Sequence, residues 1–264
     1  MKTDSLTEQV QKQAEWLGTP LTATAAEKIT QFVLFLDEYN KNVNLVGAKT
    51  VQEIIEKHVL DALSLVKEVR DLDLYRPAGV LSYADIGSGG GLPAFITALA
   101  LAFDHQDNRI KLLMVDSIAK KCRFLEEARA HLNLETPTPG NLEIRVESCR
   151  AEDLGHAPDL REKFDFASAR AVGTLKLTSE LVVPFIKKGG YYLVQKTEQR
   201  YEQELKESQK IRQNVGLALD PVKFTTYEQF APIGQNVLLS FKKEKATPPA
   251  YPRLWKKIME ENRG

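Results

Sequence analysis

The stretch that decides the fold is Tyr83-Ala-Asp-Ile-Gly-Ser-Gly-Gly-Gly-Leu-Pro93. It predicts a short strand that runs into a turn and then a helix, with four glycines within five positions of the turn. Glycine lets the backbone adopt φ > 0 and approach a ligand without interference from a Cβ atom. The helix that follows offers N–H groups and the positive end of its dipole to that ligand. We therefore expect a ligand at Gly87, Gly89 and Gly91.

An acidic residue follows the next apolar run of the chain. Residues 110–115 read Ile-Lys-Leu-Leu-Met-Val and lead directly into Asp116. In α/β domains, a carboxylate after the second strand accepts hydrogen bonds from the hydroxyls of an adenosine ribose. Together with the glycine turn, Asp116 predicts a site for a cofactor that contains a nucleoside.

The glycine spacing argues against a dinucleotide as that cofactor. In the fingerprint G-x-G-x-x-G, a frame that begins at Gly87 puts Leu92 in the last slot, and a frame that begins at Gly89 starts too late after Ile86. Asp85 would repel a pyrophosphate but suits the cationic amino-acid end of S-adenosyl-L-methionine. The residues favour S-adenosyl-L-methionine and leave NAD, or a tight turn without a ligand, as alternatives.

Composition is that of an ordinary globular protein of 264 residues, with 43% hydrophobic and 27% charged residues. The first 20 residues are polar, and no apolar run reaches the length of a membrane span. The two cysteines and four histidines fit no metal-binding spacing. We expect a cytoplasmic protein with no membrane segment and no metal.

The formal net charge is zero, but basic residues cluster in two places. Residues 242–264 hold seven basic and three acidic residues. The second cluster consists of Lys111, Lys120, Lys121 and Arg123. Local basic faces bind nucleic-acid phosphates even when the whole chain is neutral. Each cluster is compatible with such a face or with an ordinary solvated surface.

The apolar spacing over residues 5–70 predicts three helices. Thr24 and Thr50 are candidate N-caps for two of them, each with a glutamate three residues later. From Val80 onward strands and helices alternate, which implies a parallel sheet with helices on both faces. The predicted strands lie near residues 81–86, 110–115, 142–147, 164–169, 189–195, 221–227 and 236–242. The predicted helices between them lie near residues 92–103, 118–132, 174–186 and 199–214.

The last two predicted strands are joined by a short segment with Pro232 and Gly234, so they should pair antiparallel. Parallel strands with a terminal antiparallel hairpin resemble the α/β fold of class I S-adenosylmethionine-dependent methyltransferases, a Rossmann-like seven-stranded sheet. We predict an N-terminal helical region over residues 1–72, a methyltransferase domain over 73–245 and a basic tail over 246–264.

The carboxyl ends of parallel strands line the ligand cleft in such sheets. After the third strand, the Glu152 carboxylate is placed to accept the adenine amino group, and Ala151 to offer a backbone N–H to the ring. The alternative is an exposed helix start with acids at its favourable end. After the fourth strand, Arg170 is placed to hold the cofactor carboxylate or a substrate phosphate, or to serve a structural partner.

Absent motifs narrow the chemistry. Where methyltransferases for exocyclic amines have Pro-Pro-aromatic, this chain has Ser168-Ala169-Arg170, and no cysteine lies in the turn that a pyrimidine C5 methyltransferase needs for its nucleophile. What remains is transfer to an atom with a free lone pair, such as a purine ring nitrogen. Positioning and electrostatics would then supply most of the catalysis.

Motifs along residues 25–245 resemble the ribosomal RNA small subunit methyltransferase G family, also called glucose-inhibited division protein B. The matching segments are Tyr39–Leu45, Glu56–Leu65, Asp85–Pro93, Asp116-Ser117 with Lys120–Leu125, Arg150–Glu152, Ser168–Ala171 and Gln195-Lys196. The resemblance implies methylation of N7 of one guanosine in 16S ribosomal RNA, which we expect to be bound within a small-subunit particle. It also implies cofactor contacts at Gly87, Leu92, Asp116, Ser117, Ala151, Glu152 and Arg170.

For the reaction itself we predict roles for Arg170, Lys196 and His58. His58, with Asn40 and Asn44, lies in the N-terminal motifs, which we expect either to close over the cleft or to serve packing and helix capping. The chain departs from the family at Ala94-Phe95-Ile96, Ala169 and Thr197. The alternatives are a methyltransferase for another substrate, a non-catalytic assembly factor that binds the cofactor and RNA, and a dinucleotide oxidoreductase.

Overall fold

The computed structural model describes residues 3–72, 74, 79–104, 109–134, 142–221, 223–226 and 236–262, with 223–226 and 262 described by their backbone alone. The chain divides into two compact units. The first comprises Met1–Leu81, Ser88–Met114 and Ile118–Glu147, and the second comprises Ser82–Gly87, Val115–Ser117 and Ser148–Gly264. The predicted domain boundaries at 72/73 and 245/246 stay predictions.

The N-terminal region is helical, with α1 over Thr3–Trp16 and α2 over Ala23–Asn40. Thr22 caps α2, since its hydroxyl accepts from the Ala25 N–H at 3.2 Å. The predicted cap at Thr24 is wrong because the helix starts at Ala23 and Thr24 already lies in its first turn. Thr50 caps the next helix as predicted, accepting from the Glu53 N–H at 3.1 Å.

The third predicted helix is not regular. It consists of α3 over Val51–Glu53, a π-helical stretch over Ile54–Val59 and α4 over Leu60–Asp71. Such wide turns are rare and frequently occur at functional sites. Apolar spacing alone does not distinguish a π-helical turn from an α-helical one, so the sequence pattern carried no sign of it.

Beyond this region strands and helices alternate near the predicted positions. The strands are β1 Val80–Ile86, β2 Arg109–Asp116, β3 Leu142–Ser148, β4 Phe164–Ala169, β5 Ile186–Thr197, β6 Lys223–Thr226 and β7 Asn236–Lys242. The helices are α5 Ala94–Ala102, α6 Ala119–His131, α7 Ala151–Leu154, α8 Leu175–Val182, α9 Glu198–Val215 and α10 Trp255–Asn262. A 3-10 turn over Val183–Phe185 follows α8. Helix α10 was not predicted from the sequence, and α7 was predicted only as the alternative of a helix start after the third strand.

The strands form a seven-stranded sheet in the order β3-β2-β1-β4-β5-β7-β6. Strand β4 pairs parallel with both β1 and β5, whereas β7 pairs antiparallel with both β5 and β6. This arrangement confirms the predicted fold class with its terminal antiparallel hairpin. The predicted connection through Pro232 and Gly234 lies outside the described residues.

Each unit has an aromatic core. In the first unit, Phe32 of α2 stacks on Phe95 of α5 with ring centroids 4.8 Å apart, and every residue of α5 is buried. In the second unit, Tyr83 of β1 stacks on Phe166 of β4 at 4.3 Å. All four rings are fully buried, so each pair packs tightly within its own unit.

Candidate functional site

The carboxyl ends of four strands meet within the second unit. The Gly87 N–H, just past β1, donates to the carbonyl of Val115 at 2.7 Å, and the Cys149 N–H, just past β3, donates to the carbonyl of Asp116 at 3.1 Å. The register of β1 against β4 places Asp85 opposite Ser168. The second unit therefore brings together the segments that carry Asp85, Asp116, Glu152 and Arg170.

Asp85 belongs to a buried hydrogen-bond chain. Ser168 Oγ donates to Asp85 Oδ1 at 2.5 Å and lies 2.6 Å from the Tyr83 hydroxyl. Because Ser168 has one hydroxyl proton, Tyr83 donates to Ser168 in turn. Burial, and then the Asp85 charge, raise the pKa of Tyr83 well above its ordinary value, so the phenol keeps its proton. The sequence pattern did not single out Ser168 as the residue that fixes this carboxylate.

Gly87 is constrained by its neighbours as well as by its backbone. Its φ of 77° is one that side-chain-bearing residues rarely adopt, and a Cβ there would overlap Cγ2 of Val172 in the loop after β4. Glycine is thus required here by packing even before a ligand is considered.

Asp116 is the last residue of β2, and only 6% of its surface is exposed. Ser117 follows it and is exposed. A buried carboxylate beside an exposed hydroxyl gives this strand end two groups able to bind a polyhydroxylated ring.

Glu152 lies at the start of α7, four residues after β3. It is 6% exposed, and its Oε1 accepts no hydrogen bond from any residue that the structure describes. The nearest cation is Arg150, whose Nη1 lies 3.5 Å away, and the adjacent Asp153 is exposed. Asp153, not Glu152, fits the alternative of a solvated helix start.

Arg170 follows β4 and is half-buried. The next residue, Ala171, has a φ of 56°. Such a backbone conformation in a residue other than glycine costs about 1–3 kcal/mol and is concentrated at ligand sites. Arg170 thus stands directly before a strained position in the loop after β4.

Lys196, near the end of β5, is engaged with protein groups. Its Nζ donates to the Gly173 carbonyl at 2.7 Å and pairs with Glu204 Oε2 at 2.8 Å. Its side chain is 9% exposed. This geometry favours a role in holding the loop after β4 over direct contact with a substrate.

The first unit contains the remaining glycines of the turn. Gly89 and Gly91 have φ values of 54° and 75°, and Leu92 is buried. A Cβ on Gly91 would lie 2.7 Å from Cδ2 of Phe95. Phe95 is one of the residues at which the chain departs from the family, and it packs under this glycine.

The N-terminal motifs also lie in the first unit. Asn40 makes four side-chain hydrogen bonds of 2.7–3.1 Å. Its Oδ1 accepts from the Leu45 and Val46 N–H groups, and its Nδ2 donates to the Val46 and Ala48 carbonyls. Val46 in turn lies where a Cβ on Gly90 would approach to 3.1 Å. Asn40 thus organises a loop that contacts the glycine turn.

His58 is half-buried within the π-helical stretch of the first unit, whereas Arg170 and Lys196 belong to the second. The roles predicted for these three residues, and for the cofactor contacts, stay predictions.

Only some of the basic side chains over residues 242–264 are exposed. Lys243 is fully buried against Glu162, and Arg253 pairs with Glu180, which is 2% exposed. Lys256 and Lys257 are exposed, and Arg263 lies outside the described residues. In the other cluster Lys120 and Arg123 are exposed.

Neither a metal site nor a membrane span emerges from the part of the chain that the structure describes. Within the described ranges, no group of His, Cys, Asp and Glu residues is arranged to hold a metal ion. No helix there is long and apolar enough to span a membrane.

Comparison with solved structures agrees with this architecture. The crystal structure of the CurJ carbon methyltransferase matches with a TM-score of 0.52 over 92% of this chain and 70% of its own, at 12% identity. The fold, with its grouped strand ends, is that of the class I S-adenosylmethionine-dependent methyltransferases.

The family model for rRNA small subunit methyltransferase G matches residues 25–229. Ribosomal RNA small subunit methyltransferase G of Desulfitobacterium hafniense is 33% identical over 237 residues, covering 90% of this chain and 89% of the relative. That of Ligilactobacillus salivarius is 32% identical over 237 residues, covering 89% and 90%. The chain belongs to this family, which confirms the predicted resemblance, the enzyme class and S-adenosyl-L-methionine as cofactor.

Proposed function

We propose that this protein transfers a methyl group from S-adenosyl-L-methionine to N7 of a guanosine in 16S ribosomal RNA. The observation that carries the proposal is the buried carboxylate of Glu152, whose Oε1 accepts no hydrogen bond from any described residue, in the unit that holds Asp116 at the end of β2. The names of the curated relatives supply the substrate class, ribosomal RNA.

The residues of the second unit fit the parts of the cofactor. Asp116, with Ser117, would hold the ribose hydroxyls. Glu152 would accept from the adenine amine, and the N–H of Ala151, at the first position of α7, has no partner within its own helix. The fixed charge of Asp85 would attract the cationic amino-acid end. A carboxylate-rich set of this kind suits a cationic nucleoside cofactor and disfavours a pyrophosphate.

In the first unit, Gly89, Gly91 and Leu92 would form the part of the turn that follows Gly87. Gly89 and Gly91 adopt positive φ values, which glycine adopts more readily than other residues. These contacts are proposals for individual residues, and each can be tested by substitution.

The cofactor supplies an electrophilic methyl group on a sulfonium sulfur. The N7 lone pair of guanine forms the new N–C bond as the C–S bond breaks, and the bonding electrons leave with sulfur. N7 has no proton to lose, so no general base is needed. The protein's contribution is alignment, exclusion of water and stabilisation of charge. The target base must first leave its stack, at a cost of a few kcal/mol.

Arg170 is proposed to hold a phosphate of the RNA or the cofactor carboxylate, because a guanidinium forms paired hydrogen bonds with either group. Lys196 is proposed to fix the Arg170 loop, and His58 to help position the target base. The substrate is proposed to be a small-subunit particle, and the reaction to take place in the cytoplasm.

Single-turnover transfer of labelled methyl to small-subunit particles and to naked 16S RNA tests this function. We expect transfer to yield 7-methylguanosine on mass spectrometry of the nucleosides. Arg170→Ala should slow transfer severely, whereas Arg200→Ala, an exposed arginine of α9, should not.

Cofactor binding without transfer to either substrate would favour the non-catalytic assembly factor instead. A different methylated product would point to another substrate. A wild-type transfer rate in Arg170→Ala would show that the loop after β4 is not part of the active site.

A further inference from the structure

The residues that lead into helix α10 pack against the turn that follows α7, the short helix that carries Glu152. Pro252 lies so close to Gly155, the residue after α7, that a Cβ there would be 2.7 Å from Pro252 Cγ. The ring of His156 bonds the Pro252 carbonyl at 2.8 Å. The C-terminal segment therefore touches the turn immediately after α7.

This segment is firmly anchored. Arg161 donates four hydrogen bonds, to the carbonyls of Gly155, Thr247, Pro248 and Tyr251, at 2.7–3.1 Å. Further along, the Arg253 guanidinium forms two hydrogen bonds of 2.7 Å with the buried carboxylate of Glu180. The position of α10 is thus set independently of its first residue, Trp255.

Trp255 contacts a charged group of the candidate adenine site. The Arg150 guanidinium lies over the Trp255 ring, 4.9 Å from its centroid. The Nη1 atom of the same guanidinium lies 3.5 Å from Glu152 Oε1, and Oε1 accepts no hydrogen bond from any described residue. A cation over an indole ring is held by about 0.5–1 kcal/mol at an exposed site and more when partly buried.

The indole ring and the carboxylate both attract this guanidinium. Without the ring, Arg150, which is half exposed, would be free to move onto Glu152 and donate to Oε1. With the ring in place, the guanidinium compensates the charge of the buried carboxylate, and Oε1 keeps no hydrogen-bond partner among the described residues.

We propose that Trp255 is a positioning residue for adenine recognition, because its indole ring holds Arg150 beside Glu152 but away from hydrogen-bond contact. This inference rests on the proposed function, in which Glu152 accepts from the exocyclic amine of the cofactor. Trp255 itself does not touch the cofactor.

The test compares two ligands that differ at that amine. S-Adenosylhomocysteine carries the adenine amine, whereas S-inosylhomocysteine has a carbonyl oxygen in its place, which Glu152 would repel. Calorimetric titration of the full chain should show wild type binding the adenine ligand tighter, on the order of tenfold or more.

Trp255→Ala should lower affinity for the adenine ligand by roughly threefold to tenfold and leave affinity for the inosine ligand almost unchanged. The ratio of the two affinities should therefore fall. Trp255→Phe, which keeps an aromatic face, should restore most of the ratio. The matched control is Leu254→Ala, at a neighbouring residue that is 70% exposed, and it should behave as wild type.

An equal loss for both ligands in Trp255→Ala would overturn the inference, since it would mean that α10 only supports the fold. Unchanged binding of both ligands would overturn it as well. If wild type bound neither ligand, the proposed function would fail and take this inference with it, so the two failures are distinguishable.

Discussion

The side-chain amine of Lys196 donates a hydrogen bond to the backbone carbonyl of Gly173, 2.7 Å away. The same amine pairs with Glu204, whose carboxylate also accepts from the Leu175 N–H at 2.6 Å. These contacts tie the end of β5 to the far side of the loop that begins at Arg170. Lys196 therefore determines how rigidly that loop is held.

Lys196→Met should slow methyl transfer by roughly tenfold to a hundredfold, because small misplacements of reacting groups have effects of that size. Cofactor affinity should change by less than about threefold, since each factor of ten needs 1.4 kcal/mol. Single-turnover rates and calorimetry measure the two effects. Lys188→Met, at an exposed lysine of the same strand, is the control. Loss of a pKa from the pH–rate profile would instead make Lys196 an acid–base catalyst.

Asp116→Ala should weaken S-adenosyl-L-methionine binding by about tenfold to a hundredfold, because one ionised carboxylate that accepts two hydroxyl hydrogen bonds contributes roughly 1.5–3 kcal/mol. The thermal unfolding of the ligand-free protein should change little by comparison. Asp153→Ala, which removes an exposed acid of α7, should bind as wild type does. Full affinity in Asp116→Ala would leave Asp116 with a structural role alone.

Glu162→Gln should destabilise the fold by roughly 1–3 kcal/mol, because it removes the counter-charge of a buried ammonium group. Lys243 is fully buried and bonds Glu162 Oε1 at 2.6 Å. Burial alone would raise the pKa of Glu162, but the hydrogen bonds from Lys243 and the Thr247 N–H outweigh it, so the pKa is lowered.

The sign of that shift sets the pH dependence. The stabilisation from Glu162 is complete above the ordinary glutamate pKa of about 4.3 and is lost as pH falls through the lower folded value. Denaturant unfolding should show the full difference in the free energy of unfolding between wild type and variant at pH 7. That difference should become smaller below about pH 4. The control Glu244→Gln, at an exposed residue next to Lys243, should unfold with the same free energy as wild type. If the difference for Glu162→Gln did not depend on pH, it would contradict a stabilising charge on Glu162.

Reversal of Lys256 and Lys257 to Glu should weaken RNA binding and flatten its salt dependence, because fewer counterions are released. The slope should change by about 0.7–0.9 for each RNA phosphate that the variant no longer neutralises. Reversal of Lys206 and Lys210, two exposed lysines of α9, gives the same change in net charge elsewhere. Equal slopes in all three proteins would show that residues 256 and 257 do not bind RNA.

The sequence pattern predicted the features that depend on local chemistry. The glycine turn, the acid after β2 and the antiparallel end of the sheet all follow from short-range rules on backbone freedom, strand ends and loop length. Those rules single out Asp85 and Asp116 as candidates, whereas Glu152 was singled out by the resemblance to the family, and the roles of all three stay predictions. The N-cap at Thr50 follows in the same way.

The features that depend on distant partners were not predictable. The contacts of Lys196 with Gly173 and Glu204 were not predicted, because neither partner is adjacent to it in the sequence. Lys243 counted as part of a basic surface, although it is buried against a carboxylate 81 residues earlier. Helix α10 was missed because its eight residues form a stable helix only when packed on the protein.

The four carbonyls that hold Arg161 have a consequence for synthesis. Three of them lie 86 to 90 residues after Arg161 in the chain. Arg253, the partner of Glu180, likewise lies 73 residues after it. While the nascent chain lacks residues 247–253, neither charged group has these partners, and an unpaired ion is costly to bury. The turn after α7 therefore gains this support only after Thr247 to Arg253 have left the exit tunnel.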